Sequence, residues 1–72
     1  MIINEQNLKN ILKKYITRIN FETLLKDVNN KLLINNVEKV IAVFLYNKGE
    51  YLELSLLTKP TTDIKIKIDF IN

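Results

Sequence analysis

The stretch 37-VEKVIAVFLYNKGEYLELSLL-57 decides the fold, because its apolar residues fit both a helix and a strand. The residues at helical spacing are Val37, Val40, Ile41, Phe44 and Leu45. The β-branched and aromatic content and the following NKGE favour a strand instead, since Gly49 can adopt the positive φ that a tight hairpin requires. We therefore predict a β-hairpin of residues 38–46 with residues 51–57.

The chain after this hairpin predicts a third strand. The sequence 58-TKPTTD-63 contains the only proline and is typical of a turn. The stretch 63-DIKIKIDFI-71 then alternates strictly between apolar and charged residues. Its apolar face is formed by Ile64, Ile66, Ile68 and Phe70. Leu52, Leu54 and Leu56 give the second strand a matching face, and the short connections favour an antiparallel meander in the order 1-2-3.

Upstream of the hairpin, two amphipathic patterns predict helices. The first covers residues 5–19, with Asn4 as its N-cap, and the second begins at residue 21. At ~100° per residue, the apolar stripes of the two patterns are rotated by roughly 150° relative to each other. Asn20 can cap a new helix here, so we predict a sharp elbow that turns both stripes onto one core. The second helix is expected to stop at the asparagine pair 35–36.

Together these patterns predict an α+β fold: two short N-terminal helices joined at an elbow, then a three-stranded antiparallel β-meander. Residues 1–72 are expected to form a single small α+β domain. A chain of about 60 residues buries only ~60% of the surface that its unfolded form exposes, so a partner or a second copy would add stability.

Composition excludes several kinds of site. The 72 residues contain no Cys, no His and a single Gly, which rules out disulfide frameworks, zinc sites and Gly-rich phosphate loops. Glu53 and Asp69 could be proposed as an acid–base pair, but they are expected to be outward-facing strand residues. We therefore expect no catalytic residue, no metal, no cofactor and no small-molecule substrate, and the protein is not expected to be an enzyme.

Nothing in the sequence predicts export or membrane insertion. The opening MIINEQNLKN has no basic region followed by an apolar region. The longest apolar run, VIAVFLY, is far shorter than the ~20 residues of a membrane span. A cytoplasmic protein without a membrane partner is therefore expected.

The first strand is apolar on both faces although the meander places it at the edge of the sheet. A hairpin loop of two or four residues would point Phe44, Tyr46 and Tyr51 away from the helices. A loop of three residues would instead point away Ile41, Val43 and Leu45. Either way an apolar cluster lies beside an open edge, which predicts a protein partner or a homodimer through strand 1. Alternatively, the terminal MII or FIN, or a different strand order, covers the cluster.

All of the net charge of +3 lies in residues 4–18. The cations are Lys9, Lys13, Lys14 and Arg18, opposed by Glu5, whereas the rest of the chain carries seven lysines and seven acids. On the predicted first helix these cations form an arc opposite the apolar stripe, which could contact phosphates. A solvated helix face has the same composition, so nucleic-acid binding is the weaker hypothesis.

These surfaces favour a small non-catalytic protein-binding module, of the regulator or inhibitor type, that uses the exposed edge of strand 1. The size and composition fit an intracellular inhibitor encoded by a phage or another mobile element, although no residue selects that origin. The alternative is a DNA- or RNA-binding module that uses the basic face of the first helix.

Overall fold

The computed structural model describes residues 3–71 and has a helical layer on one face of a sheet. The helical elements are α1 (Glu5–Ile11), a 3₁₀ segment (Lys13–Arg18) and α2 (Phe21–Ile34). The strands are β1 (Lys39–Asn47), β2 (Tyr51–Lys59) and β3 (Asp63–Asp69). They form an antiparallel sheet in the order β1-β2-β3, which confirms the predicted α+β fold with its meander.

Two turns use left-handed backbone where the sequence predicted it. Gly49 in the β1–β2 loop has a φ of 95°, and its N–H donates to the side-chain oxygen of Asn47 at 2.8 Å. Asn36, which follows the end of α2, has a φ of 54°. Both residue types tolerate this region better than others, so the local sequence sets these two turns.

Both predicted helix caps are present. The side-chain oxygen of Asn4 accepts hydrogen bonds from the N–H groups of Gln6 and Asn7 at 2.8 and 3.1 Å. The side-chain oxygen of Asn20 accepts one from the N–H of Thr23 at 3.1 Å. These bonds satisfy N–H groups that have no partner within the first turn. The elbow predicted at Asn20 is confirmed, since α2 begins there as a separate helix.

The first α-helix is shorter than the predicted residues 5–19. The α-helix ends at Ile11, and Leu12 has a ψ of 6°. The N–H of Tyr15 then donates to the carbonyl of Leu12 at 2.8 Å, which is the tighter spacing of a 3₁₀ helix.

Contacts with the end of the sheet explain this change of helix type. The Tyr15 hydroxyl accepts a hydrogen bond from the Asn47 side chain at 3.5 Å, and its ring lies 6.3 Å from that of Phe70. The carbonyl of Arg18 accepts a hydrogen bond from the N–H of Ile71 at 2.7 Å. These contacts hold the 3₁₀ segment across the sheet end and offset its poorer internal hydrogen-bond geometry.

The core lies between the helical layer and the inner face of the sheet. The sheet contributes Leu52, Leu54, Leu56, Ile64, Ile66 and Ile68, all buried as predicted. The helical layer contributes Leu8, Leu12, Ile19, Leu24, Val28 and Leu32. Both apolar stripes therefore face one core, with α2 packed against β3 and α1 beside β1.

Candidate protein-binding surface

The hairpin register decides which face of β1 points away from the helices. Asn47 lies opposite Leu52, which leaves four residues between them and corresponds to the even-length loop considered from the sequence. Phe44, Tyr46 and Tyr51 therefore lie on the outer face of the sheet, where no described element covers them.

The inner face of β1 carries the other predicted residues. Val43 and Leu45 are partly buried against the core. Val40 joins them, although strict alternation would place it on the outer face, because the register with β2 shifts between Val40 and Ala42. Ile41 is the extra residue of this β-bulge. The bulge therefore explains much of the apolar character on both faces of β1.

The free edge of β1 presents backbone hydrogen-bonding groups. The N–H of Lys48 donates to the carbonyl of Tyr51 at 3.0 Å, which sets the alternation of hydrogen-bonded pairs along the hairpin. By this alternation the N–H and C=O groups of Val43 and Leu45 point away from β2. Within residues 3–71, β2 is the one strand that pairs with β1.

Exposed apolar side chains lie beside this edge. We name the set of Ile41, Phe44 and Tyr46 on β1 the outer cluster; its members are 56%, 47% and 47% exposed, and Leu57 on the central strand β2 is 43% exposed. Leu57 was not singled out from the sequence. The signal for it was the pair Leu56–Leu57, which breaks the alternation of β2 and must turn one leucine outward.

Charges on the outer face and the hairpin loop balance each other. The ion pairs are Lys48–Glu53 at 3.8 Å, Lys65–Asp63 at 4.0 Å and Lys67–Asp69 at 3.7 Å. The ammonium of Lys67 also lies 4.8 Å from the centroid of the Tyr51 ring. A face on which lysines pair with acids offers little electrostatic attraction to a polyanion.

A groove of about 510 Å³ lies between α1 and β1. One wall is formed by residues 40–43, and the other carries Asn4, Asn7 and Asn10, a row of amides with a spacing of three residues. No residue that lines the groove is charged. The spacing N-x-x-N-x-x-N is visible in the sequence, but only the structure shows that this row of amides lies beside an open strand edge.

The four cations of the basic segment are divided between two elements. Lys9 lies on α1, with its ammonium 5.4 Å from the centroid of the Phe21 ring, and the others lie in the 3₁₀ segment. The guanidinium of Arg18 lies 4.1 Å from the Phe70 ring, while the lysine pair 13–14 is exposed. The continuous arc expected on one α-helix is interrupted, because a 3₁₀ helix has about 3.0 residues per turn.

The acidic pair considered from the sequence, Glu53 and Asp69, is separated by ion pairs with lysines. Glu53 and Asp69 lie in the ion pairs with Lys48 and Lys67 rather than with each other. Residues 3–71 contain no group of three or more His, Cys, Asp or Glu side chains placed to hold a metal ion. None of the described helices has the length and apolar character needed to cross a bilayer.

No protein-family model matches the chain, and neither a curated protein nor a solved structure matches it. The candidate surface is therefore defined by its own geometry: the free edge of β1, the outer cluster and the uncharged groove.

Proposed function

We propose that this protein is a small non-catalytic protein-binding module, of the regulator or inhibitor type, that binds an extended segment of its partner along the free edge of β1. The observation that carries the proposal is an edge without charge: residues 40–46 contain no charged side chain. The N–H and C=O groups of Val43 and Leu45 point toward this edge. An added strand would satisfy them and gain affinity from main-chain hydrogen bonds.

The outer cluster supports the same class of partner. A strand paired with β1 places alternate side chains beside Phe44 and Tyr46, so that apolar surface on both molecules is removed from water. Aromatic side chains are enriched in protein interfaces because each one buries a large area. Since the charges of the outer face are matched, affinity should change little with salt.

The chemistry of the surface supports a role in which the protein acts by binding and covering a segment of its partner. The surface consists of backbone groups, apolar side chains and asparagine amides, and the chain has no His or Cys. A segment bound along β1 is held extended and is withdrawn from its other contacts. Regulation or inhibition by sequestering such a segment requires no reacting group.

The test uses a capped peptide of alternating valine and threonine as the probe strand. We expect titration of the peptide to shift the backbone amide resonances of Val43, Leu45 and Asn47 in NMR spectra, because these residues face the free edge. A peptide N-methylated at alternate residues, on the side that would face β1, is the matched control, since it lacks the donors.

Shifts that require the unmethylated peptide and concentrate on β1 support the proposal. The titration is done at a protein concentration at which sedimentation shows a monomer, so that no second copy covers the edge. Under that condition, shifts on β3, equal shifts with the methylated peptide, or no shifts at all would overturn it.

A second candidate function, nucleic-acid binding, is favoured by one observation. Among residues 3–71 the ion pairs involve the lysines of the sheet and the β1–β2 loop, so the basic segment of residues 4–18 keeps its net charge of +3 unmatched. Phosphate contacts by such a segment would make affinity fall steeply with salt.

The variant Lys13→Glu, Lys14→Glu tests this candidate, because both side chains are exposed. The control is Lys26→Glu, Lys31→Glu, which makes the same change of net charge on α2. Nucleic-acid binding predicts that the first variant loses retention on single-stranded DNA while the control keeps more of it. Equal losses, or a wild type that is not retained, would remove this candidate.

A further inference from the structure

The partner that best fits the free edge of β1 is a second copy of this chain. Building on the proposed function, we propose that two copies pair antiparallel through residues 42–46 of β1, with Phe44 at the two-fold axis. The two sheets then form one continuous six-stranded sheet with both helical layers on the same side.

The backbone of β1 fits this register. Val43 and Leu45, like Asn47, direct their N–H and C=O groups to the free edge, so the hydrogen-bonded pairs of a dimer must be drawn from these residues. Pairing Val43 of one copy with Leu45 of the other meets this requirement and places Phe44 opposite itself. The bulge at Ile41 ends the regular part of β1, so the paired stretch is centred on Phe44.

The side chains in this register are self-complementary. Phe44 meets its copy in a non-hydrogen-bonded pair, where side chains approach most closely. Ala42 meets Tyr46 of the second copy, so a small residue faces a large one. No charged residue lies between residues 40 and 46, and therefore no like charges oppose each other.

The opposite edge of the sheet, β3, carries charged side chains where β1 carries none. The outward side chains of β3 read Asp63, Lys65, Lys67 and Asp69. In the centred antiparallel register of two β3 strands, each Asp would face an Asp and each Lys a Lys. The next registers in either direction place Lys65 or Lys67 opposite its own copy, but each also brings two Asp–Lys pairs face to face. Like charges directly opposite are destabilising, so the charges of β3 oppose the fully overlapping register, whereas no charge on residues 42–46 opposes pairing of β1.

The groove beside α1 adjoins the paired edge on the inner side of the sheet. In this register its strand wall, residues 40–43, lies opposite residues 45–48 of the second copy. A specific interface buries ~800 Å² per partner, roughly a sixth of the 5071 Å² surface of the chain. The interface must therefore include side chains around the edge as well as the backbone ladder.

The first experiment is disulfide trapping with Phe44→Cys, in a chain that has no native cysteine. Opposed residues of a non-hydrogen-bonded pair have Cα atoms about 4.5 Å apart, within the range of a disulfide. We expect rapid oxidation of this variant to a covalent dimer. Tyr46→Cys, which faces Ala42 of the second copy, and Leu57→Cys, which lies on the central strand, should stay largely monomeric.

The second experiment measures association without cross-linking, by sedimentation over a concentration series. Phe44→Lys places two ammonium groups opposite each other and removes an aromatic pair, so dimerisation should weaken by at least ~10-fold. Leu57→Lys is the matched control, since Leu57 and Phe44 are 43% and 47% exposed but Leu57 lies away from the edge. The control should dimerise like the wild type; a loss in the control equal to that of Phe44→Lys would indicate packing through the outer faces and overturn the edge dimer.

A wild type that stays monomeric, together with Phe44→Cys that does not oxidise faster than Leu57→Cys, overturns the second copy as the partner. If the valine–threonine peptide still shifts the edge amides, the proposed function survives this failure. If hydrogen exchange shows the Val43 and Leu45 amides protected in a monomer that binds no peptide, the chain covers its own edge and both proposals fail.

Discussion

The two edge strands of the sheet, β1 and β3, differ in the charge and in the burial of their side chains. Every outward-pointing side chain of β3 is charged: Asp63, Lys65, Lys67 and Asp69. On β1, residues 40–46 carry no charge. The inner residues of β3 are buried and α2 packs along it, whereas Val43 and Leu45 on the inner face of β1 are only partly buried.

This difference supports the different roles that we propose for the two edges. Charged side chains on an edge strand oppose pairing with another chain, because pairing would remove their hydration or bring like charges together. An apolar edge without such residues is a template for strand addition. The contrast within one sheet is therefore the physical basis for the proposed interaction through β1.

The largest expected effect contrasts the two faces of β1. Val43→Lys should lower the free energy of unfolding by ~4 kcal/mol, since it brings an ammonium to the core side, opposite the buried Leu56. Phe44→Lys should cost less than ~1 kcal/mol, because that side chain is on the outer face. Urea unfolding followed by circular dichroism, at low protein concentration, measures both. Equal losses would contradict the register.

The inner residues of the two edge strands should differ in their contribution to stability. Ile66→Ala on β3 should cost ~3 kcal/mol, because Ile66 is only 3% exposed and its removal leaves a cavity. Val43→Ala on β1 should cost ~1 kcal/mol, because a partly exposed site has already lost part of its contacts. Urea midpoints with unchanged m-values test this. A larger cost at Val43 would mean that β1 is the better covered strand.

Loss of a helix cap should likewise destabilise the domain more in α2, which packs against β3, than in α1, which lies beside β1. Asn20→Ala removes the cap of α2 and should lower the stability of the whole domain by ~1 kcal/mol. Asn4→Ala removes the cap of the short α1 and should mainly speed amide exchange within α1, with a global loss of ~0.5 kcal/mol. Thermal melts and hydrogen exchange separate the two effects. An Asn20→Ala variant that melts with the wild type would show that this cap contributes nothing.

The smallest expected change in stability tests whether charge protects β3. Lys65→Thr, Lys67→Thr should alter the free energy of unfolding by less than ~0.5 kcal/mol, because exposed ion pairs contribute little. It should nevertheless produce assemblies larger than a dimer in light scattering, since both edges would then be open. Lys26→Thr, Lys31→Thr on α2 makes the same change of charge as a control. If the two double variants scatter alike, lysines do not protect this edge.

Local sequence by itself determined the elements and most of the core. The period of two placed the inner residues of β2 and β3, because adjacent side chains of a strand must point to opposite faces. Asn4, Asn20 and Gly49 set caps and a turn through their own backbone preferences. The sequence also supplied the candidate residues of the hairpin, but as two alternatives: Phe44, Tyr46 and Tyr51, or Ile41, Val43 and Leu45.

Tertiary structure alone decided between these alternatives. The length of the hairpin loop and the extra residue at Ile41 set the phase of β1, and a one-residue difference exchanges its faces. The 3₁₀ segment likewise depends on contacts between Tyr15 and residues far along the chain, at Asn47 and Phe70. The phase of β1 and the 3₁₀ segment each differ little in free energy from their local alternatives, so neighbouring residues in the sequence do not specify them. They are decided by how β1 and the helical layer pack around their shared core.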